Sequence, residues 1–204
     1  MFYDVLAGDH GLAHDPFKAL VAPRPVGWIT AVSARGEVNL SPYSFFNAVS
    51  DRPHMVAFSS AGKKDALTFA EETGEFVCNM ATFALRDRMN ATSAPLPRGE
   101  SELAHAGLTA APSRLVRPPR VAEAPAALEC KWLQTVPLAP LGGGEPKYHL
   151  VIGQVVGIHI DDRFIVDGLV DTAAMRPIMR AGYHEYFTAT PETKFAMRRP
   201  AGGD

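Results

Sequence analysis

The chain has 204 residues, 47% of them hydrophobic and 21% charged, with a formal net charge of −2. That size and composition predict one soluble globular domain over 1–204 with a sizeable core, and the near-neutral charge gives no electrostatic drive toward nucleic acid or an anionic membrane. No run of about 18 apolar residues occurs, and Asp4 and Asp9 interrupt the N-terminus, so neither a membrane span nor a signal peptide is expected and the cytoplasm, where Cys78 and Cys130 stay reduced, is the expected location.

Residues 1–22 read as an N-terminal extension. Val26 to Ala34 then reads as a strand, with a tight turn at Arg35-Gly36 and a return strand from Val38, because β-branched and aromatic residues flank a glycine turn. Ala48 to Pro53 reads as a connection and Met55 to Phe58 as a short apolar strand. Asp65 is placed to cap a helix through Ala66, Leu67, Phe69 and Ala70 that Gly74 stops. Phe76 to Met80 is a predicted strand. A helix follows from Thr82 through Leu85, Met89 and Thr92, ended by Pro95 and Pro97, and a shorter one from Ser101 to His105 is closed by Gly107. Prolines are too frequent between Pro112 and Pro125 for regular structure, apart from one edge strand at Leu115-Val116 or Arg120-Val121. Ala127 to Val136 is a strand, 137–146 a flexible loop with three consecutive glycines, and Tyr148 to Ile160 the longest strand. An Asp161-Asp162 turn leads to Phe164 to Val166, and 196–204 reads as a C-terminal tail. Hairpins with few helices argue a mainly β, antiparallel barrel with peripheral helices rather than a βαβ sheet.

Two stretches carry chemistry. In the first, Asn39, Ser41, Ser44 and Asn47 are interleaved with Tyr43, Phe45 and Phe46, so short polar side chains alternate with flat apolar ones, a lining that suits a planar heterocycle with hydrogen-bonding edges. In the second, Ser59-Ser60-Ala61-Gly62 lets backbone amides approach an oxyanion, Lys63 and Lys64 add positive charge, and the helix start at Asp65 contributes unpaired amides and a partial positive charge. The glycine spacing is not that of a P-loop and no Ser or Thr follows Lys64, which argues against a magnesium-bound nucleoside triphosphate.

Pro23-Arg-Pro-Val-Gly-Trp-Ile-Thr30, Asn39-Leu-Ser-Pro-Tyr-Ser-Phe-Phe-Asn47, Lys64-Asp65, Gly74-Glu-Phe-Val-Cys-Asn79, Leu128-Glu-Cys130 and Gly153-Gln-Val-Val156, in that order, resemble the flavin reductase-like family of FMN-binding split-barrel proteins. The resemblance runs from about Pro23 to Tyr186. It implies a split β-barrel of the FMN-binding type and a homodimer with non-covalently bound FMN near the interface. It implies that Thr30, Ser33 and the backbone around Ala31 border the flavin ring or ribityl chain. Asn39, Ser41, Ser44 and Asn47, with Phe45 among them, face the ring, and Ser59, Ser60, Lys64 and Asp65 hold the phosphate. Ala66 stands where many relatives have Thr, which shifts phosphate binding onto the serines and loop amides. Tyr183, in Arg180-Ala-Gly-Tyr-His-Glu-Tyr186, stands where a second glycine is common.

The other motifs have blander readings. His10 and His14 have the spacing of two ligands on one helix face, but Gly11 weakens that helix and no third ligand is placed, so no metal is expected. His54, His149 and His159 read as packing residues and Trp28 as core. His184, beside Glu185, is the candidate for a catalytic histidine. Arg24 is open to two readings, a cofactor phosphate or a carboxylate across the dimer. The function these residues and the resemblance imply is transfer of a hydride from NADH or NADPH to flavin, with a flavin-dependent monooxygenase as a partner. The alternatives are a flavin carrier serving a protein partner and a flavin-dependent oxidoreductase acting on an organic substrate.

Overall fold

The computed structural model describes residues 1–97, 100–198 and 200. A short helix, α1 (Phe17–Leu20), precedes β1 (Arg24–Pro25), β2 (Gly27–Val32), β3 (Val38–Tyr43), β4 (Phe46–Asp51) and β5 (His54–Ala61). Helix α2 (Asp65–Thr73), β6 (Glu75–Met80), α3 (Arg86–Ala91) and α4 (Glu102–His105) follow, then the two-residue strands β7 (Ala110–Ala111) and β8 (Arg120–Val121). The long pair β9 (Ala126–Pro137) and β10 (Tyr148–Ile160) leads into β11 (Ile165–Val166), β12 (Leu169–Val170), α5 (Thr172–Met175), β13 (Ile178–Arg180) and β14 (Tyr186–Thr188).

The main sheet has seven antiparallel strands in the order β3-β2-β6-β9-β10-β5-β4. Its two end strands are consecutive in the chain, joined by Ser44-Phe45, so the sheet curls until its first and last strands meet at that turn. The residues of β2 alternate between two cores. Ile29 and Ala31 point into one with Phe58, Leu67, Phe69 and Phe76, while Trp28 points into a second with Leu40, Leu85, Met89 and Ile178. Each fully buried aromatic contributes about 1.5–3 kcal/mol, and Phe58 meets Phe76 edge-on at 5.5 Å. The Trp28 indole donates to Thr92 Oγ1 at 2.9 Å, tying the end of α3 to β2.

Several expectations are met closely and some need correction. The β2–β3 hairpin turns as predicted, with Gly36 at φ 88. Helix α2 ends on Gly74 in the left-handed conformation, φ 72, where glycine bears no Cβ penalty. Its N-cap is Lys64, not Asp65: the Lys64 backbone is extended, no side chain caps the helix, and Asp65 is the first helical residue. The predicted connection at 48–53 is mostly strand β4, mostly exposed and carrying a bulge between Ala48 and Ser50; its polar residues face solvent from a sheet edge. Of the two candidate edge strands, Arg120-Val121 forms, paired with Ala110-Ala111. The predicted helix from Thr82 divides into a 3₁₀ turn at Phe83–Leu85 and α3. Ser101 caps α4 by accepting from Ala104 N–H. A three-stranded sheet, β1-β13-β14, has no counterpart in the sequence reading because its strands are two or three residues long. The tail expected over 196–204 lies largely outside the described residues.

Candidate functional site

A groove of about 560 Å³ opens beside the closure of the sheet. Alternation along β3 puts Asn39, Ser41 and Tyr43 on one face, and all three line it, together with Ser44 and Phe45 of the turn and Ser59 of β5. Lys64 and Asp65, at the start of α2, form one end. Thr92 to Leu96 after α3, Glu102 of α4 and Tyr148 at the start of β10 complete the wall. The Tyr148 ring meets Phe45 edge-on at 6.0 Å.

The sequence-predicted residues divide sharply. Asn39, Ser41, Ser44, Phe45, Ser59, Lys64 and Asp65 are brought together in this groove. Asn47 is one strand position beyond, in an adjoining cavity of about 530 Å³ that shares Phe45 and Ser59 with the groove, and its Oδ1 accepts from Ala48 N–H. Thr30, Ala31, Ser33 and Ser60 do not line the groove. Thr30 and Ala31 are wholly buried in β2, and the Thr30 hydroxyl accepts from Asn79 Nδ2 at 2.7 Å. Ser33 holds the Arg35-Gly36 turn, accepting from the Arg35 and Glu37 amides, and Ser60 donates to Gly62 O at 2.8 Å. Each of those hydroxyls is engaged by its own backbone or core. His184 is exposed and lines a different pocket with Phe83, Arg86 and Tyr186.

Polar groups in the groove are partly engaged already. Ser41 Oγ donates to Asn39 Oδ1 at 3.2 Å, Asn39 Nδ2 donates to Glu102 Oε1 at 2.7 Å, and Glu102 Oε2 accepts from Leu40 N–H. Glu102 therefore orients Asn39, a role the sequence reading missed; its only local signal is an acidic residue in the first turn of a short capped helix.

Tyr43, read from the sequence as one of the flat apolar residues of this stretch, also carries a polar group that the sequence reading did not use. The residue is 8% exposed, its ring lies 4.8 Å from that of Phe58, and among the described residues its hydroxyl has no hydrogen-bond partner at bonding geometry. Burial pushes that hydroxyl up to about 12; nearby Ser60 opposes the rise, and the Asp65 and Glu102 charges add to it. At neutral pH it is a buried, protonated hydroxyl on a residue that lines the groove.

The two lysines also separate. Lys63 pairs with Glu71 at 3.2 Å, whereas Lys64 has no carboxylate within 4.0 Å among the described residues. With no side chain capping α2, the unpaired amides of its first turn and the Lys64 ammonium stand together at one end of the groove. That arrangement can take an oxyanion, while the Ser44, Phe45 and Tyr148 region offers flat apolar surface with short donors. Among the described residues no cluster of three or more metal-ligating side chains occurs, and no helix is long and apolar enough to cross a membrane.

Comparison with known proteins agrees with this architecture. A family model described as a flavin reductase like domain matches residues 20–173. A protein of Halalkalibacterium halodurans is 38% identical over 171 residues, covering 81% of this chain and 81% of its own length. Another, from Aquifex aeolicus, is 34% identical over 184 residues, covering 87% and 90%. Among solved structures, nitrilotriacetate monooxygenase component B from Bacillus cereus is similar with a TM-score of 0.87 and 30% identity over 97% of this chain and 98% of that one. A split-barrel protein of Shewanella frigidimarina NCIMB 400, at 22% identity and a TM-score of 0.78 over 91% and 90% of the two chains, shares the fold. With the antiparallel split barrel and a family match over most of its length, the chain belongs to the flavin reductase-like family.

Proposed function

We propose that the groove binds FMN and that the chain, as a homodimer, transfers a hydride from NADH or NADPH to flavin. The observation that carries this reading is the uncapped start of α2 beside the unpaired Lys64, at one end of a groove whose other walls are aromatic and short-polar. The residues present fit the group. The volume lies within the range of roughly 300–1,000 Å³ usual for ligand pockets, the partnerless Tyr43 hydroxyl is a buried donor, and the α2 amides with Lys64 suit a phosphate.

When bound, flavin supplies the hydride-accepting ring nitrogen. The chain's own work is binding and orientation. Lys64, Ser59 and the α2 amides hold the phosphate end, Ser44 and Tyr43 donate toward the ring, and Phe45 with Tyr148 excludes water from one face. Asn39, held by Glu102, keeps Ser41 in place. No general base is required of the protein in this reading, and His184, the histidine named from the sequence, lines a different pocket.

The similarity to nitrilotriacetate monooxygenase component B supports a monooxygenase as the partner that consumes reduced flavin. The test is stopped-flow mixing of the FMN-loaded protein with NADH and with NADPH, following loss of flavin absorbance. Rapid bleaching with steady turnover under excess free FMN supports the reductase. FMN that survives desalting but bleaches with neither nucleotide contradicts it and supports the carrier. Sedimentation over a dilution series with and without FMN tests the dimer, since a ligand shared by two chains must tighten their association.

A further inference from the structure

Next to the groove lies a smaller cavity, of about 250 Å³, that shares Lys18, Pro42, Ser44 and Ser93 with it. Among the described residues no carboxylate lines this cavity, yet Lys18, Arg24 and Arg180 all do. Arg24 is only 7% exposed. Its Nη1 donates to Lys18 O at 2.6 Å and to Val21 O, its Nη2 donates to Ala181 O at 3.0 Å, and its Nε has no hydrogen-bond partner among the described residues. Those carbonyls fix the guanidinium without neutralising it. Arg180 is its register partner across β1–β13, and burial first, then the Arg180 charge, lowers the affinity of Arg24 for its proton.

A purely structural role explains only part of this. Arg24 does tie α1 and Ala181 to the barrel. That leaves unexplained why a second arginine and a lysine face the same cavity, why neither has a carboxylate partner within 4.0 Å among the described residues, and why Nε is left over. A buried cation without a counter-ion is costly, and like charges gathered around one cavity add to the cost. Both costs are offset when an anion occupies it. Since the whole chain carries a formal charge of −2, the local excess of cations is a feature of this place and not of composition.

We propose that this cavity is the subsite for the anionic group of the second substrate, the molecule that exchanges electrons with the flavin. The ligand is an oxyanion carried by a molecule that also bears a planar ring, either the phosphate of a nicotinamide dinucleotide or the carboxylate of an aromatic acid. At about 250 Å³ the cavity takes the anionic group, and its neighbours have room for the rest of the molecule. Ser44 is common to it and to the groove, while Arg180 and Tyr186 are common to it and to an outer pocket of about 410 Å³ that also contains Phe83 and Phe187. Arg180 stacks over the Tyr186 ring at 4.6 Å, which holds the guanidinium at the boundary. Tyr183, at φ 52 in a backbone conformation that favours glycine, lines the same cavity.

This inference rests on the reading of the neighbouring groove as the flavin site, and one calorimetric experiment separates the two. Flavin-free and FMN-saturated protein are each titrated with inorganic pyrophosphate and with benzoate, for the parent and for Arg180→Gln, which removes a half-exposed charge and leaves the buried Arg24 in place. The expected result is saturable binding of at least one anion to the FMN-saturated parent, weakened about tenfold in Arg180→Gln as for a lost charge-assisted contact, with FMN affinity unchanged. Pyrophosphate alone assigns the site to a dinucleotide, and then the KM for NADH or NADPH rises in the variant while kcat stays level; benzoate alone assigns it to an aromatic acid. No saturable anion binding, equal binding by parent and variant, or an equal loss of FMN affinity in the variant overturns the proposal. Arg180-dependent anion binding by a chain that does not bind FMN supports the subsite and refutes the flavin reading.

Discussion

Phe46 lies directly against Gly27: a Cβ added to Gly27 would stand 2.6 Å from Phe46 Cγ and 2.6 Å from its Cδ2. The two residues belong to β2 and β4, which are not neighbours in the sheet, so this contact is made across the barrel. It sets how far the Ser44-Phe45 turn can swing, and Phe45 is a wall of the groove. Gly27→Ala is therefore predicted to cost about 1–3 kcal/mol, the usual penalty of overpacking, and to weaken FMN binding as Phe45 shifts. Thermal unfolding and a fluorescence titration of the same sample check both; an unchanged melting temperature would mean that the seam has slack.

Lys64→Ala is expected to weaken FMN binding about tenfold, as for loss of one charge-assisted hydrogen bond, and the difference should shrink as salt rises because the ammonium is exposed. Lys63→Ala is expected to leave affinity close to that of the parent, since Lys63 is occupied by Glu71. Fluorescence titrations of both variants at low and high salt make the comparison. Equal effects of the two substitutions would dissolve the distinction between them.

Tyr43→Phe removes a buried hydroxyl that has no hydrogen-bond partner among the described residues, so the flavin-free variant should be as stable as the parent or more so, while FMN binds less tightly. The pH dependence is distinctive. Because the folded value is raised from 10.0 to about 12, the unfolded tyrosine loses its proton first; the contribution is fully present below the unfolded value and is lost as pH rises between the two. Urea midpoints at about pH 9 and about pH 11 should therefore differ more for the parent than for the variant.

Glu129 gives the opposite sign. Its side chain is wholly buried, contacts the His159 ring, and accepts from the Arg114 and Leu115 amides at 2.7 and 2.6 Å. Burial pushes the carboxyl up, but His159 and those two amides together hold it below its usual range. Its contribution is thus present above the unfolded carboxylate value and is lost as pH falls through the depressed one. Glu129→Gln should flatten the acid limb of stability and loosen the segment around Leu115, read by amide exchange, without altering FMN affinity; a loss of FMN affinity would place Glu129 in the site.

How much of this was legible in the sequence follows from the length scale of each interaction. The β2–β3 hairpin, α2 with its Gly74 stop, and β9–β10 are written in local pattern, and so is the polar and aromatic alternation from Asn39 to Phe45. The burial of Thr30 and Ser60 is not. Nothing near Thr30 reveals that Asn79, on the adjacent strand, occupies its hydroxyl, and Ser60 differs from Ser59 only by strand phase, which the register of β5 on β10 decides. Tyr43 looked like one more aromatic in the run; its buried, partnerless hydroxyl exists only once β3 is curled against β5. The cationic cavity joins Lys18, Arg24 and Arg180 across more than half of the chain, and their convergence depends on β1 pairing with β13, strands too short to announce themselves.

The central claim is that flavin lies in the groove with its phosphate at the start of α2. A crystal structure of the protein grown with FMN measures this directly. The account predicts the phosphate within hydrogen-bonding distance of Lys64 Nζ and the first-turn amides of α2, with the ring against Phe45 and the Tyr43 hydroxyl paired. A phosphate seated instead among Lys18, Arg24 and Arg180, or a flavin bound outside the walls formed by β3, β5 and α2, would contradict it.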